Sequence, residues 1–449
     1  MDATAGDGDG LAALEARVRF DLACIDHPAA AWRPADDPVL DVLVVGAGQG
    51  GLAVAFQLLR DKVTNIRVID RAPTGREGPW RTFARMPTLR SPKAMNGPDL
   101  GVPSLTYRAW HEARFGAADW RRLDLIPKDL WADYLDWFRR VLALPVTNGV
   151  ELVHLAEASG RVAATLRAAD GGEEVVHARR VVLATGLDGL GRWWMPTVLD
   201  RLPADRRAHA ADDIDFAALA GRRVAVIGAG ASAADNAATA LEAGAREVVM
   251  LCRRAELQRV QPYRWLTWTG FLRHLSDLDD RWRWRFMAHI MALRESFPQA
   301  TWDRCARHAN FRLLTGAAVE AASITADGAL ALATPRGTVV TDFVVAGTGV
   351  DVDPAARPEL AALAPFVARW GDRYTPEPGE ADDRLARYPY LAADYSFTEK
   401  VSGTAPVLAK IHVFNFGATM SFGPSGSSIN AMTIAVPKLV AGITRGLFE

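Results

Sequence analysis

The segment VVGAGQGG constrains the fold of this chain more than any other feature. In it, Gly46, Gly48 and Gly51 have the spacing G-x-G-x-x-G, between an apolar run of strand length at 39–45 and a helical pattern at 51–60. In such a unit the first glycine permits a tight turn, the second lets a pyrophosphate approach the backbone, and the third lets the helix pack against the strand. The segment predicts a Rossmann-like dinucleotide-binding unit, although a lone glycine motif also fits an ordinary tight turn.

The acidic residue Asp70 stands at the end of the next predicted strand, at 66–69, and indicates which nucleotide this unit binds. A carboxylate at that strand end can accept a hydrogen bond from a ribose hydroxyl, while the helix N-terminus presents free N–H groups to the phosphates. We therefore expect the first unit to bind FAD.

A second glycine turn, VIGAGASAAD, follows the apolar strand 223–227 and repeats the spacing of the first. Gly228, Gly230 and Ala233 lie 182 residues after their counterparts, and Ser232 lies within the same turn. Two such units in strand-turn-helix context are far more specific than one. The pair predicts two dinucleotide sites in one chain.

The second unit has no acidic residue at the end of its second strand. Cys252 occupies the position equivalent to Asp70, and Arg253 and Arg254 follow it. An acid would repel a ribose 2′-phosphate, whereas a guanidinium holds one. Since 46 of the 52 basic residues are arginines, two in succession arise by chance about one time in a hundred, and a solvated basic strand end is the alternative. The pattern favours NADPH in the second unit.

The order of the motifs predicts an α/β protein with two Rossmann-like dinucleotide-binding domains, the second inserted in the first. The apolar strands VVLATG and FVVAGTG, which end at Gly186 and Gly349, have the continuous hydrophobicity of buried parallel strands. We assign both glycines to the cofactor sites. We expect an N-terminal helix and linker at 1–38, a FAD-binding domain at 39–220 and 341–449, and an NADPH-binding domain with a helical insertion at 221–340.

The composition of the chain limits the classes of partner that we expect it to bind. With 449 residues and a net charge of −1, the chain has no general attraction for nucleic acid or anionic membranes, which favours a small-molecule substrate. Three scattered cysteines and no C-x-x-C pair disfavour a disulfide framework or a dithiol centre, and no metal-ligand cluster is visible. The acidic, glycine-rich start is unlike a signal peptide, and long apolar runs are missing. We expect a cytoplasmic protein without a membrane span, and leave a homo-oligomer open.

The order VVGAGQGG, VVLATG, VIGAGASAAD and FVVAGTG resembles that of the class B flavin-dependent monooxygenases: flavin-containing monooxygenases, N-hydroxylating monooxygenases and Baeyer–Villiger enzymes. The second turn, with Ser232 and Asp235, has the form typical of that group. The resemblance implies that NADPH reduces FAD, and that O₂ then forms a C4a-(hydro)peroxyflavin. One oxygen atom would enter a small molecule by N- or S-oxidation or hydroxylation. A FAD-dependent oxidoreductase that passes electrons from NADPH to another acceptor is the alternative.

The resemblance also implies candidate residues beside the flavin. Trp80 and Arg81 follow the first unit where family members place a tryptophan against the flavin, and Lys93 in RSPK loosely resembles a flavin-proximal lysine of N-hydroxylases. The segment FNFGATMSFGPSGSSIN resembles the one that returns to the flavin, which makes Ser428 and Asn430 candidates. For each, a packing or surface role is the alternative.

His209 is the remaining catalytic candidate. Read against the Baeyer–Villiger fingerprint F-x-G-x-x-x-H-x-x-x-W, the sequence retains only this histidine, so ketone insertion is disfavoured. His209 is then a hinge or cofactor contact, or a structural linker residue. The segment 264–302 contains five tryptophans interleaved with arginine. It predicts a helical cap over a substrate cavity, with plain core packing as the alternative.

Overall fold

The computed structural model describes residues 7–27, 30–31, 37–262, 266, 268–293 and 296–448. Within them the strands are β1 (Leu40–Val45), β2 (Ile66–Asp70), β3 (Val146–Asn148), β4 (Val150–Ala158), β5 (Arg161–Ala168), β6 (Glu173–Leu183), β7 (Gly191–Trp193), β8 (Arg207–His209), β9 (Arg223–Ile227), β10 (Glu247–Cys252), β11 (Phe311–Thr315), β12 (Ala321–Ile324), β13 (Leu330–Thr334), β14 (Gly337–Thr341), β15 (Phe343–Ala346), β16 (Val350–Val352) and β17 (Ile411–Val413). The α-helices are α1 (Asp7–Cys24), α2 (Gln49–Arg60), α3 (Tyr107–Phe115), α4 (Ala117–Arg122), α5 (Lys128–Val141), α6 (Ala231–Glu242), α7 (Thr269–His274), α8 (Asp280–Leu293), α9 (Gln299–Ala306), α10 (Trp370–Arg373), α11 (Asp383–Ala386), α12 (Thr419–Phe422) and α13 (Met432–Phe448).

The first sheet has the order β3-β2-β1-β6-β5-β4, with β17 also paired to β6. Its centre is parallel, because β1 pairs in parallel with both β2 and β6, and α2 crosses between β1 and β2. The sequence pattern predicts a strand at 174–177 and a separate apolar strand at 181–186, whereas the structure has the single 11-residue strand β6. Its polar first half pairs antiparallel with β5, and its apolar end pairs in parallel with β17, so the change in hydrophobicity marks a change of neighbour.

The second sheet is parallel, with the order β11-β10-β9-β15-β8. It takes β8 and β15 from segments that the expected boundaries, 39–220 and 341–449, assign to the FAD-binding domain. Val344, Val345 and Ala346 of β15 are fully buried beside β9, where they complete the second core. We therefore propose that the chain crosses between the domains at β7 and β16, which pair with each other.

The N-terminal helix α1 docks on the first domain, as the sequence predicts. A Cβ atom on Gly10 would lie 2.1 Å from the carbonyl oxygen of Ala113 in α3, so the two helices approach very closely. The indole of Trp137 in α5 also donates a hydrogen bond to Glu15 at 3.2 Å.

The C-terminal helix packs in the core of the first domain. The segment Ile429–Phe448 is long and apolar enough to cross a membrane by length and composition alone. However, Leu439, Val440 and Ile443 are fully buried within the protein, and α13 contacts α2. Core helices pass the same test, so the absence of a membrane span stays a prediction.

The tryptophan-rich insertion contributes to both the core and a cavity. Trp284 in α8 is fully buried and packs on Trp370 at a ring distance of 6.1 Å, whereas Trp302 in α9 faces the large cavity described below. Trp268 and Trp282 are exposed. Trp265 lies outside the described residues. Trp284 fits the core-packing alternative, and Trp302 lines the cavity, so a cap over a substrate stays a prediction.

A bidentate ion pair joins β9 to Asp342, the residue before β15, and gives a testable pH dependence. Arg223 donates to Asp342 at 3.1 and 2.6 Å, and these bonds lower the pKa of Asp342 to about 2. A lowered pKa means that the charged form stabilises the fold above the unfolded pKa near 3.8, and that this contribution is lost as pH falls towards about 2. With the side chain 27% exposed, we expect Asp342→Asn to lower the free energy of unfolding by about 1 kcal/mol at pH 7.

Urea unfolding of the wild type and Asp342→Asn at several pH values checks this prediction. The difference between the two proteins should shrink as pH falls below 4, because Asp342 of the wild type takes up a proton near pH 3.8 when unfolded but only near pH 2 when folded. A difference that stays constant between pH 7 and pH 3 would contradict it.

Candidate active site

A cavity of about 2790 Å³ lies between the two sheets and joins the two glycine turns. Gly46 and Gly48 line one part of it, and Gly228 and Gly230 line another. Sites for a single small ligand usually measure ~300–1,000 Å³. This cavity has room for two dinucleotides and a substrate.

Two glycines determine the shape of the first turn, and the third leaves space beside the backbone. Gly46 has φ +103°, and a Cβ on it would lie 2.4 Å from the oxygen of Ala184. A Cβ on Gly51 would lie 1.8 Å from the oxygen of Gly46. By contrast, a Cβ on Gly48 would meet no protein atom closer than 3.9 Å, so the side-chain position at Gly48 is free for a ligand. The helix α2 begins directly after it.

Asp70 fastens this turn from the neighbouring strand. Its two carboxylate oxygens accept hydrogen bonds from the backbone N–H groups of Ala47 and Ala72, each at 2.8 Å. The side chain also lines the cavity. Because a carboxylate accepts more than two hydrogen bonds, Asp70 can hold both the turn and a ribose hydroxyl.

Of the two candidates that follow the first turn, one faces the cavity and the other is engaged elsewhere. Trp80 is 8% exposed and lines the cavity. The guanidinium of Arg81 instead forms ion pairs with Asp133 and Asp136 on α5, both at 2.7 Å. Arg81 therefore fixes the segment beside the cavity, which differs from the direct cofactor contact expected from the sequence.

The second turn has the shape of the first, except that an alanine replaces the third glycine. Gly228 has φ +115°, and a Cβ on it would lie 2.4 Å from the oxygen of Gly347, just after β15. Ala233 stands where the first unit has its third glycine, and a Cβ on Gly347 would lie 2.5 Å from its methyl group. The close approach thus needs Gly347, which sequence reasoning missed. Gly230 meets nothing within 4 Å, and Ser232 is an exposed residue of the cavity wall.

The two arginines after β10 have different surroundings. Arg254 donates to the carbonyl oxygens of Leu293 and Ala292, at 3.2 and 2.6 Å, and so caps the C-terminal end of α8. Arg253 is exposed and lines the cavity. The expected pair is therefore one available guanidinium and one that already holds a helix.

Two further arginines of the cavity wall, Arg384 and Arg387, were missed by sequence reasoning. Burial lowers the pKa of Arg384, and the nearby charges of Arg253, Arg387 and Arg254 lower it further. An anion at this place would relieve that repulsion. In a chain with 46 arginines no sequence signal distinguishes these two.

This geometry predicts unequal effects of the two arginines on nucleotide binding. Arg253→Ala should weaken NADPH binding by about 10- to 100-fold, the value of a charge-assisted contact to a phosphate, and leave NADH binding nearly unchanged. Arg254→Ala should affect both nucleotides alike, because it releases the end of α8. Dissociation constants from the perturbation of flavin absorbance check this, and equal losses for NADPH and NADH in Arg253→Ala would contradict it.

His209 lies at the end of β8, on the cavity wall between the sheets. Its ring stacks on Trp193 at 5.0 Å, and its Nδ1 accepts a hydrogen bond from the backbone of Ala211 at 3.1 Å. Burial lowers its pKa, which favours the neutral ring. The side chain is held like a structural residue but remains adjacent to Gly349, another cavity residue with φ +84°.

Lys93 lines the cavity, but its ammonium group already has partners within the protein. Its ammonium group donates to the carbonyl oxygens of Trp120, at 2.8 Å, and Leu123, and lies 4.9 Å from the ring of Trp120. With these partners it anchors the loop after α4. These contacts fit the packing alternative, and a catalytic role for Lys93 stays a prediction.

The C-terminal loop returns to the first glycine turn. The fully buried Asn415 donates to the oxygens of Leu183 and Thr185 at 3.1 Å, which fixes the loop to the end of β6. Farther along, Ser428 and Asn430 line the cavity. The buried Oδ1 of Asn430 accepts no hydrogen bond from any described residue. Because Asn430 lines the cavity, its amide oxygen is a candidate acceptor for an N–H donor of a bound ring.

The two glycine turns and their surroundings fit dinucleotides: FAD at the first turn and NADPH at the second. Gly48 and Gly230 leave open space at two helix N-termini, and Gly186, with φ +80°, borders the cavity next to the first turn. Helix N-termini favour phosphates, and the orphaned oxygen of Asn430 favours a donor group between them. These are the donor and acceptor types that two dinucleotides require.

Comparisons with known proteins agree with this geometry. Residues 43–188 match a family model described as FAD-NAD(P)-binding. A FAD-dependent urate hydroxylase of Xanthomonas campestris pv. campestris is 40% identical over 443 residues, which cover 98% of this chain and 93% of that protein.

Solved structures show the same fold at low identity. The ornithine N-hydroxylase of Kutzneria sp. 744 superposes with a TM-score of 0.70 at 18% identity, over 91% of this chain and 99% of that chain. The ornithine hydroxylase of Pseudomonas aeruginosa gives 0.69 at 18% identity, over 91% and 100%.

Fold, site and relatives define a flavoprotein monooxygenase with two dinucleotide-binding domains, which uses FAD and NADPH. Within that class, the chain belongs to the family of the Xanthomonas FAD-dependent urate hydroxylase. The expected fold class, cofactors and oxygenating activity are thereby confirmed. The alternative of an electron-transferring oxidoreductase finds no support.

Proposed function

We propose that this enzyme hydroxylates urate or a closely related oxopurine. The observation that carries the proposal is the 40% identity to a urate hydroxylase, which extends over 98% of the chain and so includes the cavity walls. The cavity offers a buried acceptor oxygen on Asn430 and aromatic surfaces at Trp80 and Phe414. A planar ring with several N–H groups matches both features. We also propose that the enzyme acts in the cytoplasm on this small molecule and O₂.

The chain's own residues bind and orient the reactants. Gly48 and the start of α2 would hold the FAD pyrophosphate, and Gly230 with the start of α6 would hold that of NADPH. FAD supplies the chemistry that activates O₂ for transfer of one oxygen atom. Asn430 would accept a hydrogen bond from a ring N–H, and Trp80 and Phe414 would shield one part of the cavity from water.

Substrate-dependent NADPH oxidation tests the proposal. We expect urate to accelerate NADPH consumption and to yield a product one oxygen atom heavier, with little peroxide. Xanthine, ornithine and lysine serve as comparison substrates. If urate neither accelerates the reaction nor gains oxygen while ornithine or lysine does both, the proposed substrate is wrong and an amine is the substrate.

A further inference from the structure

The helix α6 carries a buried carboxylate, Asp235, at the end of the second glycine motif VIGAGASAAD. Its side chain is 3% exposed. It accepts hydrogen bonds from Arg90 at 2.5 Å, from Thr301 at 3.1 Å and from Arg304 at 3.4 Å. A carboxylate this deep needs such partners, because removal from water penalises its charge.

These partners belong to different parts of the molecule. Arg90 follows Trp80 in the first domain and lines the cavity, whereas Thr301 and Arg304 lie on α9 of the insertion. Arg304 also donates to Glu242 at the far end of α6, at 3.0 and 2.8 Å. The carboxylate of Asp235 is therefore a point where the first domain, α6 and the insertion meet.

A second contact of the same kind lies nearby. Arg85, in the segment that leads to Arg90, donates through its guanidinium to the carbonyl oxygen of Asp212 at 3.2 Å, just after β8 of the second sheet. Arg304 approaches the carbonyl oxygen of Arg85 at 3.5 Å. The flavin-side segment is thus bound to the second domain at several points, of which Asp235 is the most buried.

The position of this contact gives it a consequence for the reaction. The N-terminus of α6, at Gly230, faces the site proposed for the NADPH pyrophosphate, and Arg90 lines the same cavity as Trp80, the candidate for the flavin side. A buried ion pair is weak evidence of stabilisation, because desolvation offsets most of the attraction. Its geometric effect is more direct: it fixes the direction of α6 relative to the flavin-binding segment.

We propose that Arg90 and Asp235 are a positioning pair that sets the distance between the nicotinamide of NADPH and the flavin. The inference rests on the FAD- and NADPH-dependent function above. In the step concerned, one hydride leaves the nicotinamide and joins the flavin, which gives NADP⁺ and reduced flavin. Since misplacement by about 1 Å can cost ~100-fold in rate, loss of the pair should slow this step while NADPH still binds.

Anaerobic stopped-flow reduction tests the pair without substrate or O₂. In Arg90→Gln and Asp235→Asn, flavin reduction at saturating NADPH should be slower by about 100-fold. The dissociation constant for NADP⁺, from flavin absorbance, should change by less than about 3-fold, and dithionite should reduce the flavin normally. The double variant should be no slower than either single variant, because one contact is lost in all three. Arg90→Lys should recover part of the rate.

Asp342→Asn is the matched control, because Arg223 and Asp342 form an equally close ion pair within one domain. It should lower stability without slowing flavin reduction. The proposal is overturned if reduction at saturating NADPH is unchanged in Arg90→Gln, whose arginine is 25% exposed and tolerates replacement better than Asp235. An equal slowing in Asp342→Asn would also overturn it. Normal reduction of the wild type without oxygenation of urate would reject only the proposed substrate.

Discussion

Gly51→Ala is expected to yield a protein that does not retain FAD. A methyl group at residue 51 would lie 1.8 Å from the oxygen of Gly46 and 2.9 Å from its carbonyl carbon, whereas non-bonded carbon atoms do not approach oxygen below about 3 Å. The helix α2 would have to move away from the turn by more than 1 Å. Because Leu52, Ala53 and Val54 are buried in the core, that movement also disturbs packing, at a cost of ~1–3 kcal/mol.

The ratio of flavin to protein absorbance after purification measures this effect, and thermal unfolding of the apoprotein measures the packing cost. Gly50→Ala is the matched control on the same helix, since its Cβ would lie 3.5 Å from the ring of Phe414, an ordinary contact. Its apoprotein should unfold near the wild-type temperature. A Gly51→Ala protein with stoichiometric FAD would contradict the close packing of helix and turn.

Gly228→Ala should strongly slow flavin reduction by NADPH and leave FAD in place. The added methyl group would lie 2.4 Å from the oxygen of Gly347, and φ +115° is a conformation that side chains with a Cβ rarely adopt. The second turn must therefore rearrange, while the first turn, in another sheet, is unaffected. We expect normal flavin content, normal reduction by dithionite and a rate with NADPH lower by at least about 100-fold.

Gly230→Ala separates the shape of this turn from the space it leaves for phosphate. A Cβ there meets no protein atom within 4 Å, so the apoprotein should keep wild-type stability and lose only NADPH affinity. Flavin absorbance titrations with NADP⁺ and thermal unfolding compare the two variants. If Gly228→Ala is reduced by NADPH at the wild-type rate, the turn does not form part of the nucleotide site.

The sequence was sufficient to predict the two strand-turn-helix units, because local rules act at fixed spacing. The strand Arg223–Ile227 has the predicted bounds, and the glycine turns face one cavity. The sequence was not sufficient to predict which strands lie next to each other in the sheets. The apolar run at β15 indicates a buried strand, but burial alone does not say beside which strand it lies. For the same reason, the sequence pattern predicted two strands in the segment that forms β6.

Side-chain partners were least predictable. Arg254, Arg81 and Lys93 each occupy a position that resembles a cofactor contact, yet each donates to atoms within the protein. The sequence shows that an arginine or lysine is present near a site, but it does not show which partner the side chain contacts in the folded protein. Asp235 shows the converse, since its role depends on Arg90, 145 residues away in the chain. Such pairs follow from the packing of the domains.

The reaction of the enzyme with NADPH and urate under ¹⁸O₂ tests the central claim, that one atom of O₂ enters a small molecule. We predict a product with a single ¹⁸O atom, the second atom appearing in water, and one NADPH oxidised for each product molecule. The same label should be absent from product formed under ¹⁶O₂ in H₂¹⁸O, provided that the product is trapped before hydrolysis. Product oxygen derived from water, or NADPH oxidation that yields only peroxide with urate and every comparison substrate, would contradict the assignment as a monooxygenase.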